Sequence, residues 1–384
     1  MGRFRDALAG PSLSAIAEFK RRSPSAGDLR PDGDAAETAR AFQSAGAAAM
    51  SVLVDERFGG SLEDLRAARA VTALPLLAKG FFHAEEDLRA AREAGADAVL
   101  LLLRDLDNAQ TTWLMTTAAG LGLDALVEAH DLDELERAVR LGADPIGLNA
   151  RDLSTFAVNR RRQLEFVVRA PRDRVVVAES GISSRAQGAA AELAGADAIL
   201  VGTALMRAAD PGAELRRLLS RPLVKVCGVT RAQDVAVAAE AGADMVGFIL
   251  AAESPRRSNA VLPVPDTVLS VAVLVGESEE TGADLVQLYA REGDHRSRDA
   301  ALLQGGRQVA SVVDLPWLQE DPRHFDRAAA ARGRVMLAGG LDATNVRAAI
   351  EAVRPWAVDA SSRLEQAPGI KDAERVQAFV EAAR

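Results

Sequence analysis

The chain has 384 residues, 48% of them hydrophobic and 26% charged, with a formal net charge of -9 and one cysteine. That length exceeds what one hydrophobic core usually organises, so two domains are expected, and no apolar run approaches the roughly 20 residues of a bilayer span. The acidic balance excludes the basic face that phosphate-backbone binding needs, and Cys227 alone makes no intrachain disulfide.

The opening stretch, MGRFRDALAGPS, lacks the apolar core of a signal peptide. The expectation is a cytoplasmic protein with neither a membrane nor a nucleic-acid partner. His83, His130, His295 and His324 are scattered without ligand spacing, so no metal site or cofactor is expected. Apolar runs at 14–18, 49–54, 74–79, 98–103, 124–129, 145–149, 174–178 and 198–202 predict eight strands in the first half. A phrase recurs ahead of many of them: AGADAVLLLL at 94, LGADPIGLN at 141, AGADAILVG at 194, AGADMVGFIL at 241 and TGADLVQLY at 281. An Ala-rich helix ending at a glycine, then a short strand apolar on both faces, is the signature of an α/β fold with a covered parallel sheet. Polar residues just past each strand end favour a (β/α)8 barrel, with its site at the C-terminal mouth. An open doubly wound sheet is disfavoured because no Gly-rich phosphate loop follows the first strand. The RRR run at 160–162 reads as a solvated loop.

After Leu219 the cycle restarts in SRPLVKVCGVTRAQD, which puts the boundary near 220 and the domains at 1–220 and 221–384. Strands are expected at 223–227, 245–250, 268–275, 284–289, 308–313, 334–338 and 356–360, with 299–303 as the candidate for an eighth. The reading is therefore two tandem (β/α)8 barrels, the second shortened.

Of the 46 basic residues only Lys20, Lys79, Lys225 and Lys371 are lysine. Where arginine serves elsewhere, a retained lysine marks a need for a proton that can leave or for a compact charge. Lys20, Lys79 and Lys225 lie at or beside predicted strand ends, whereas Lys371 reads as structural. Other strand ends carry Glu128, Asn149 with Arg151 and Asp152, Glu179 with Ser180 and Gly181, and Gly202 with Thr203. The last two groups suit phosphate binding by backbone N–H groups and a helix N-terminus. Glu18 and Lys20, at alternate positions facing the mouth, read as a paired base and acid. The first half thus reads as a phosphosugar enzyme with lysine and glutamate acid–base groups and a phosphorylated small substrate.

The stretches IAEFKRRSPSAG, SVLVDERFGGSLEDL, LPLLAKGFF, LVEAHDLDEL, IGLNARDLSTF, VVAESGI and ILVGTALM resemble indole-3-glycerol-phosphate synthase over residues 12–215. VKVCGVTRAQDVAVAAEAGADMVGFI, SPR, DLVQLY, LAGGLDATNV and PGIKD resemble phosphoribosylanthranilate isomerase. The resemblance implies a bifunctional enzyme of tryptophan biosynthesis. In the first half Lys79 would protonate the substrate carbonyl and Glu128 would stabilise developing positive charge. Glu18 and Lys20 would serve dehydration; Asn149, Arg151, Glu179 and Ser180 would line the pocket, with Ser23, Gly181, Gly202 and Thr203 near the phosphate. In the second half Cys227 would be general base and Asp314, ending VASVVD, general acid. Arg256 would meet a substrate anion, and Gly339, Gly340, Asp359, Ser361 and Ser362 fall where that family binds phosphate.

There are departures. Gly80 stands where the synthase family has an aspartate, removing a partner expected for Lys79 or Lys20, and the family's long N-terminal helix is mostly missing from the sequence. In the second half the Gly-rich stretch before the seventh strand is missing, QLHG has become QLYA at 287–290 and SSGVE has become SSRLE. An active synthase carrying a non-catalytic, phosphate-binding or scaffolding second barrel is the alternative. A third reading is an aldolase-type barrel with Lys79 as Schiff base.

Overall fold

The computed structural model describes residues 2–23, 26–152, 157–315 and 321–384. Residues 24–25 and 153–156, parts of two of the synthase-like stretches, and 316–320, just past Asp314, lie outside the described residues. The chain separates into two compact units, Met1–Ser183 with Gly188–Leu219, and Ser220–Arg384 with Ser184–Gln187.

In the first unit eight parallel strands close into a barrel: β1 (Ser14–Phe19), β2 (Ala49–Leu53), β3 (Leu76–Lys79), β4 (Ala98–Leu102), β5 (Asp124–Ala129), β6 (Ile146–Asn149), β7 (Val176–Glu179) and β8 (Ala198–Val201). Closure is the pairing of β1 with β8, Ala15 opposite Ile199. The strands are buried on both faces because two cores flank them. Outside, Phe42, Leu65, Leu88, Leu114 and Phe166 from the helices pack on the sheet. Inside, Ile16, Leu77, Leu100, Leu126, Val177 and Leu200 fill the lumen together with Phe4 and Leu8.

Those last two come from a six-residue helix, Arg3–Leu8, too short to hold itself together. The side chain of Asp124, first residue of β5, accepts from the Phe4 and Arg5 N–H groups at 3.0 and 3.1 Å, satisfying donors the helix leaves open. The helix thus plugs the end of the barrel opposite the strand C-termini. Phe4 is fully buried, so Phe4→Ala should cost about 3–5 kcal/mol. In a scanning calorimetry trace the transition of this unit should move down by about 2–4 °C per kcal/mol lost; an unmoved transition would show that the plug is dispensable.

Residues 160–162, expected to be a solvated loop, instead open the helix Arg160–Arg169. The Asn159 side chain accepts from the Arg162 N–H at 3.0 Å, and Gln163, Phe166 and Val167 recur at helical spacing on the buried face. The charges occupy the outer side of that same helix.

The second unit also closes eight strands: β9 (Leu223–Cys227), β10 (Met245–Ile249), β11 (Leu269–Val275), β12 (Leu285–Glu292), β13 (His295–Gln304), β14 (Arg307–Val313), β15 (Val335–Ala338) and β16 (Ala357–Ala360). The candidate eighth strand at 299–303 is the interior of β13. It runs antiparallel to both neighbours, because connections of two residues can only reverse a chain. The β13–β14 turn is Gly305-Gly306, with φ of +55° and +78°, the two left-handed residues such a hairpin takes. No helix separates β11 from β12, β12 from β13 or β13 from β14. The shortening is located there. A consequence is that the start of β13, rather than its end, stands at the mouth.

Candidate active sites

At the first mouth β3 ends on Lys79, whose Nζ lies 2.6 Å from Glu179 of β7, 3.5 Å from Glu128 of β5 and 3.9 Å from Glu18 of β1. Lys20, two residues past Glu18 and so on the same side of the strand line, pairs with it at 2.5 Å. Asn149, at the end of β6, donates from Nδ2 to Glu128 Oε1 at 3.0 Å. Five strands thus deliver Glu18, Lys20, Lys79, Glu128, Asn149 and Glu179 to one cluster, with the carboxyl groups buried. Gly80 does not leave the lysines short of partners, as its sequence position suggested: Lys79 has three carboxylates and Lys20 has one. A Cβ at Gly80 would sit 2.9 Å from Val54 Cγ2.

The electrostatics follow from the count of charges. Burial pulls the Lys79 ammonium down, but Glu179, Glu128 and Glu18 together hold it well above its ordinary value. With one ammonium shared among carboxylates, not all of them ionise easily. Burial and the neighbouring Glu128 charge push Glu179 up to about 8 despite Lys79. Glu128 is held far below the usual range, its burial outweighed by Lys79, His130 and Asn149. Glu18 is lowered too: burial raises it, and Lys20 and Lys79 more than offset that.

His130 belongs to this site although its spacing drew no notice in the sequence. Its Nε2 lies 3.0 Å from Glu128 and its Nδ1 3.2 Å from Glu134. Burial lowers it, yet the two carboxylates push it up to about 10, an imidazolium. The signal was there in EAH, since residues i and i+2 at a strand end share a side.

Of the expected binding residues, Arg151, Ser180, Gly181 and Gly202 adjoin the cluster. Arg151 donates its N–H to Asn149 Oδ1 at 2.9 Å, and its guanidinium is close enough to interact with Glu18. Ser23 is buried in a small hairpin of Arg22–Ser23 with Gly27–Asp28. Ser180 and Gly181 take successive left-handed conformations, φ +69° and +73°, which turn adjacent N–H groups to one side. Gly202 precedes the short helix Thr203–Arg207. It also faces Glu18, whose carboxylate would stand 2.2 Å from a Cβ there.

At the second mouth a cavity of about 1560 Å³ is lined by Cys227, Arg256, Asp314, Gly339, Gly340, Asp359, Ser361 and Ser362. All eight residues expected of this half therefore meet in one space. Cys227 ends β9, and Gly247 opposite leaves the room it needs, since a Cβ there would lie 2.6 Å from Sγ. Burial pushes the thiol up; the Lys225 and Lys371 ammonium groups oppose it. Lys371 is thus nearer the chemistry than a structural reading implies, buried with Nζ 2.8 Å from Glu365.

Asp359 differs from the expectation of a phosphate ligand. Its Oδ2 holds the fully buried Lys225 at 2.8 Å, and a carboxylate beside a phosphate would repel it, so its place is that of a counter-ion. Arg256 donates through Nε to both oxygens of Glu365, at 3.1 and 2.8 Å. The Ser361 hydroxyl and Asp359 Oδ1 are buried without a protein partner among the described residues, which is how groups that await a polar ligand look.

A polar chain unread in the sequence crosses this barrel. Lys225 donates to Gln287 Oε1 at 2.6 Å, Gln287 to the Tyr289 hydroxyl at 2.7 Å, and Tyr289 to Asp314 Oδ2 at 2.8 Å. Arg296 reaches the same Oδ2 at 2.9 Å.

Compared with known proteins, residues 2–218 match the family model described as indole-3-glycerol phosphate synthase, and residues 320–382 that described as N-(5'phosphoribosyl)anthranilate (PRA) isomerase. An indole-3-glycerol phosphate synthase of a Nocardioides species is 49% identical over 206 residues, 53% of this chain and 79% of that protein. Indole-3-glycerol phosphate synthase 2 of Streptomyces coelicolor is 45% identical over 217 residues, 56% and 84%. Among solved structures, TrpF from Jonesia denitrificans is 28% identical with a TM-score of 0.34, covering 43% of this chain and 97% of that one. Phosphoribosyl anthranilate isomerase from Thermotoga maritima is 25% identical with a TM-score of 0.32, covering 42% and 98%.

Proposed function

The chain belongs to the indole-3-glycerol phosphate synthase family, and from that premise we propose how its two mouths carry out consecutive steps of tryptophan biosynthesis. The second barrel isomerises N-(5-phosphoribosyl)anthranilate to 1-(2-carboxyphenylamino)-1-deoxyribulose 5-phosphate. The first closes that product to indole-3-glycerol phosphate with loss of carbon dioxide and water. The observation that carries the reading is the Lys79 ammonium held among Glu179, Glu128 and Glu18.

In the synthase step Lys79 gives its proton to the carbonyl oxygen as the aromatic carbon attacks. Glu179, its carboxyl raised by burial, lies 2.6 Å away to exchange it. The ionised Glu128 faces the positive charge that builds before carbon dioxide leaves. Glu18 and Lys20, paired at 2.5 Å, move the protons of dehydration, and Lys20 also meets phosphate. Ser180, Gly181, Gly202 and Thr203 offer backbone N–H groups to that phosphate. In the isomerase step Asp314 protonates the furanose ring oxygen to open it, and Cys227 takes the proton from the sugar C2. Gly339, Gly340, Ser361 and Ser362 bind the phosphate, and Arg256 meets the substrate's carboxylate. The partners are phosphorylated small molecules, and the setting is the cytoplasm; no helix among the described residues is long and apolar enough to cross a membrane.

The test is steady-state turnover of the whole chain on each substrate separately, following loss of phosphoribosylanthranilate fluorescence and gain of indole glycerol phosphate absorbance. Activity on both is expected. Synthase activity alone would support a second barrel that binds without turnover, a reading favoured by the engagement of Arg256 with Glu365 and of Asp314 with several donors. Neither activity would overturn the assignment.

A further inference from the structure

An acid needs a place to keep its proton, and the surroundings of Asp314 restrict where that is. Oδ2 accepts from the Tyr289 hydroxyl at 2.8 Å and from Arg296 at 2.9 Å, which fills both of its lone pairs. A hydrogen on Oδ2 would point at a donor. Among the described residues Oδ1 accepts one bond, from the Leu315 N–H at 2.7 Å, and keeps a lone pair. Both Oδ2 donors are themselves fixed. The Arg296 guanidinium lies 4.1 Å from the Tyr289 ring centroid, and its second nitrogen donates to the Ser297 and Arg298 carbonyls at 3.0 and 3.3 Å. Tyr289 cannot turn its hydroxyl away without losing Gln287, which is aligned by Lys225.

Arg296 reaches this point because β13 runs backwards. It is the second residue of that strand, and the ladder is irregular there: between Tyr289 and Arg291 on one strand, the partner positions jump from Ala300 to Arg296. Such irregularities re-aim side chains beside sites.

We propose that Arg296 and Tyr289 are positioning residues that clamp Oδ2 and so place the transferable proton of Asp314 on Oδ1, facing the substrate. This rests on the isomerase reading above. The step is a proton transfer from Asp314 Oδ1 to the ring oxygen as the C1–O bond breaks, the bond pair staying on oxygen and the carboxylate that results being held by the clamp.

Other groups face Asp314. Asp299 Oδ1 accepts its N–H at 3.1 Å, Arg298 Nε donates to its carbonyl at 3.3 Å, and Asp359 on β16 is near enough to interact electrostatically. Those remain in an Arg296 variant, so a change of kcat there reports the guanidinium. Arg296→Gln should lower isomerase kcat by about 10- to 100-fold with KM nearly unchanged, in line with loss of positioning for an acid–base group. Arg296→Lys, which keeps a cation but loses the fork that also holds the Ser297 and Arg298 carbonyls, should recover part of that loss. Tyr289→Phe, which keeps the ring and its packing, should lower kcat by a smaller factor.

A raised KM with unchanged kcat would overturn the proposal by making Arg296 a ligand of the substrate anion. An unchanged kcat in a folded Arg296→Gln chain would overturn it by making the contact merely structural. If the unmodified chain shows no isomerase turnover, the functional reading fails and the proposal with it; unmodified activity together with indifferent variants sinks the proposal alone.

Discussion

Lys79→Arg should abolish synthase turnover, with a loss of about 10³-fold or more, the upper part of the range for a proton-transfer group, while isomerase turnover stays as it was. Arginine keeps the positive charge and pairs readily with carboxylates, so the cluster survives electrostatically. A guanidinium, however, keeps its proton by resonance whatever surrounds it, whereas the Lys79 ammonium is held up only by Glu179, Glu128 and Glu18 and can yield its proton as charge builds on the carbonyl oxygen. The variant therefore separates charge from proton delivery. Normal synthase rates in it would reduce Lys79 to a counter-ion. Lys79→Met tests the other half of the argument. It leaves Glu18, Glu128 and Glu179 buried without their shared cation, at a cost of about 3–5 kcal/mol. The sign with pH follows from Glu179, already up at about 8 beside Lys79 and higher without it. A carboxyl raised in the folded state contributes stability that is full below its unfolded value and is lost as pH rises through the folded one. The methionine variant should thus melt closer to the unmodified chain at pH 5 than at pH 9.

Cys227→Ser should lower isomerase kcat by about 10³-fold, at the level of removing a general base, and leave the synthase step intact. The two side chains are close in size, and the neighbouring Gly247 leaves room for either. What differs is acidity: burial raises the thiol, Lys225 and Lys371 oppose that, and a serine hydroxyl ionises far less readily than a thiol in any setting. Coupled assays on the purified variant decide the matter, and an unchanged isomerase rate would make the thiol a packing residue.

Much of this is legible in the sequence. Strands such as 98–102 and 198–201 announce themselves because burial on both faces demands unbroken apolar runs, and the glycine ahead of each ends a helix. Glu128 and Glu179 stood out as charges ending such runs. What escaped notice shares a physical cause. The lumen of the second barrel is polar along Lys225, Gln287 and Tyr289, so the alternation in DLVQLY resembles a strand with one wet face. β13, written HRSRDAALLQ, opens with charges that belong to a mouth but look like a loop. Its direction is set by two-residue turns, which a reading of helix-connected strands does not seek. The RRR helix escaped because its three charges precede the apolar spacing that defines it. Lys371 escaped because its partner, Glu365, lies on the other arm of a small hairpin.

The reversed strand has a bearing on how the polypeptide acquires its shape. β12, β13 and β14 form a meander whose pairings, such as Gln304 with Arg307 and Glu292 with His295, join near neighbours in the chain. Ala15 and Ile199, by contrast, must find each other across almost two hundred residues. Loop-closure entropy makes the first kind of contact fast and the second slow. During synthesis the meander can zip as soon as it leaves the ribosome, whereas β1 waits with an unpaired edge until β8 emerges. The reversed strand thus gives the second barrel a local starting point for folding that an all-parallel barrel lacks.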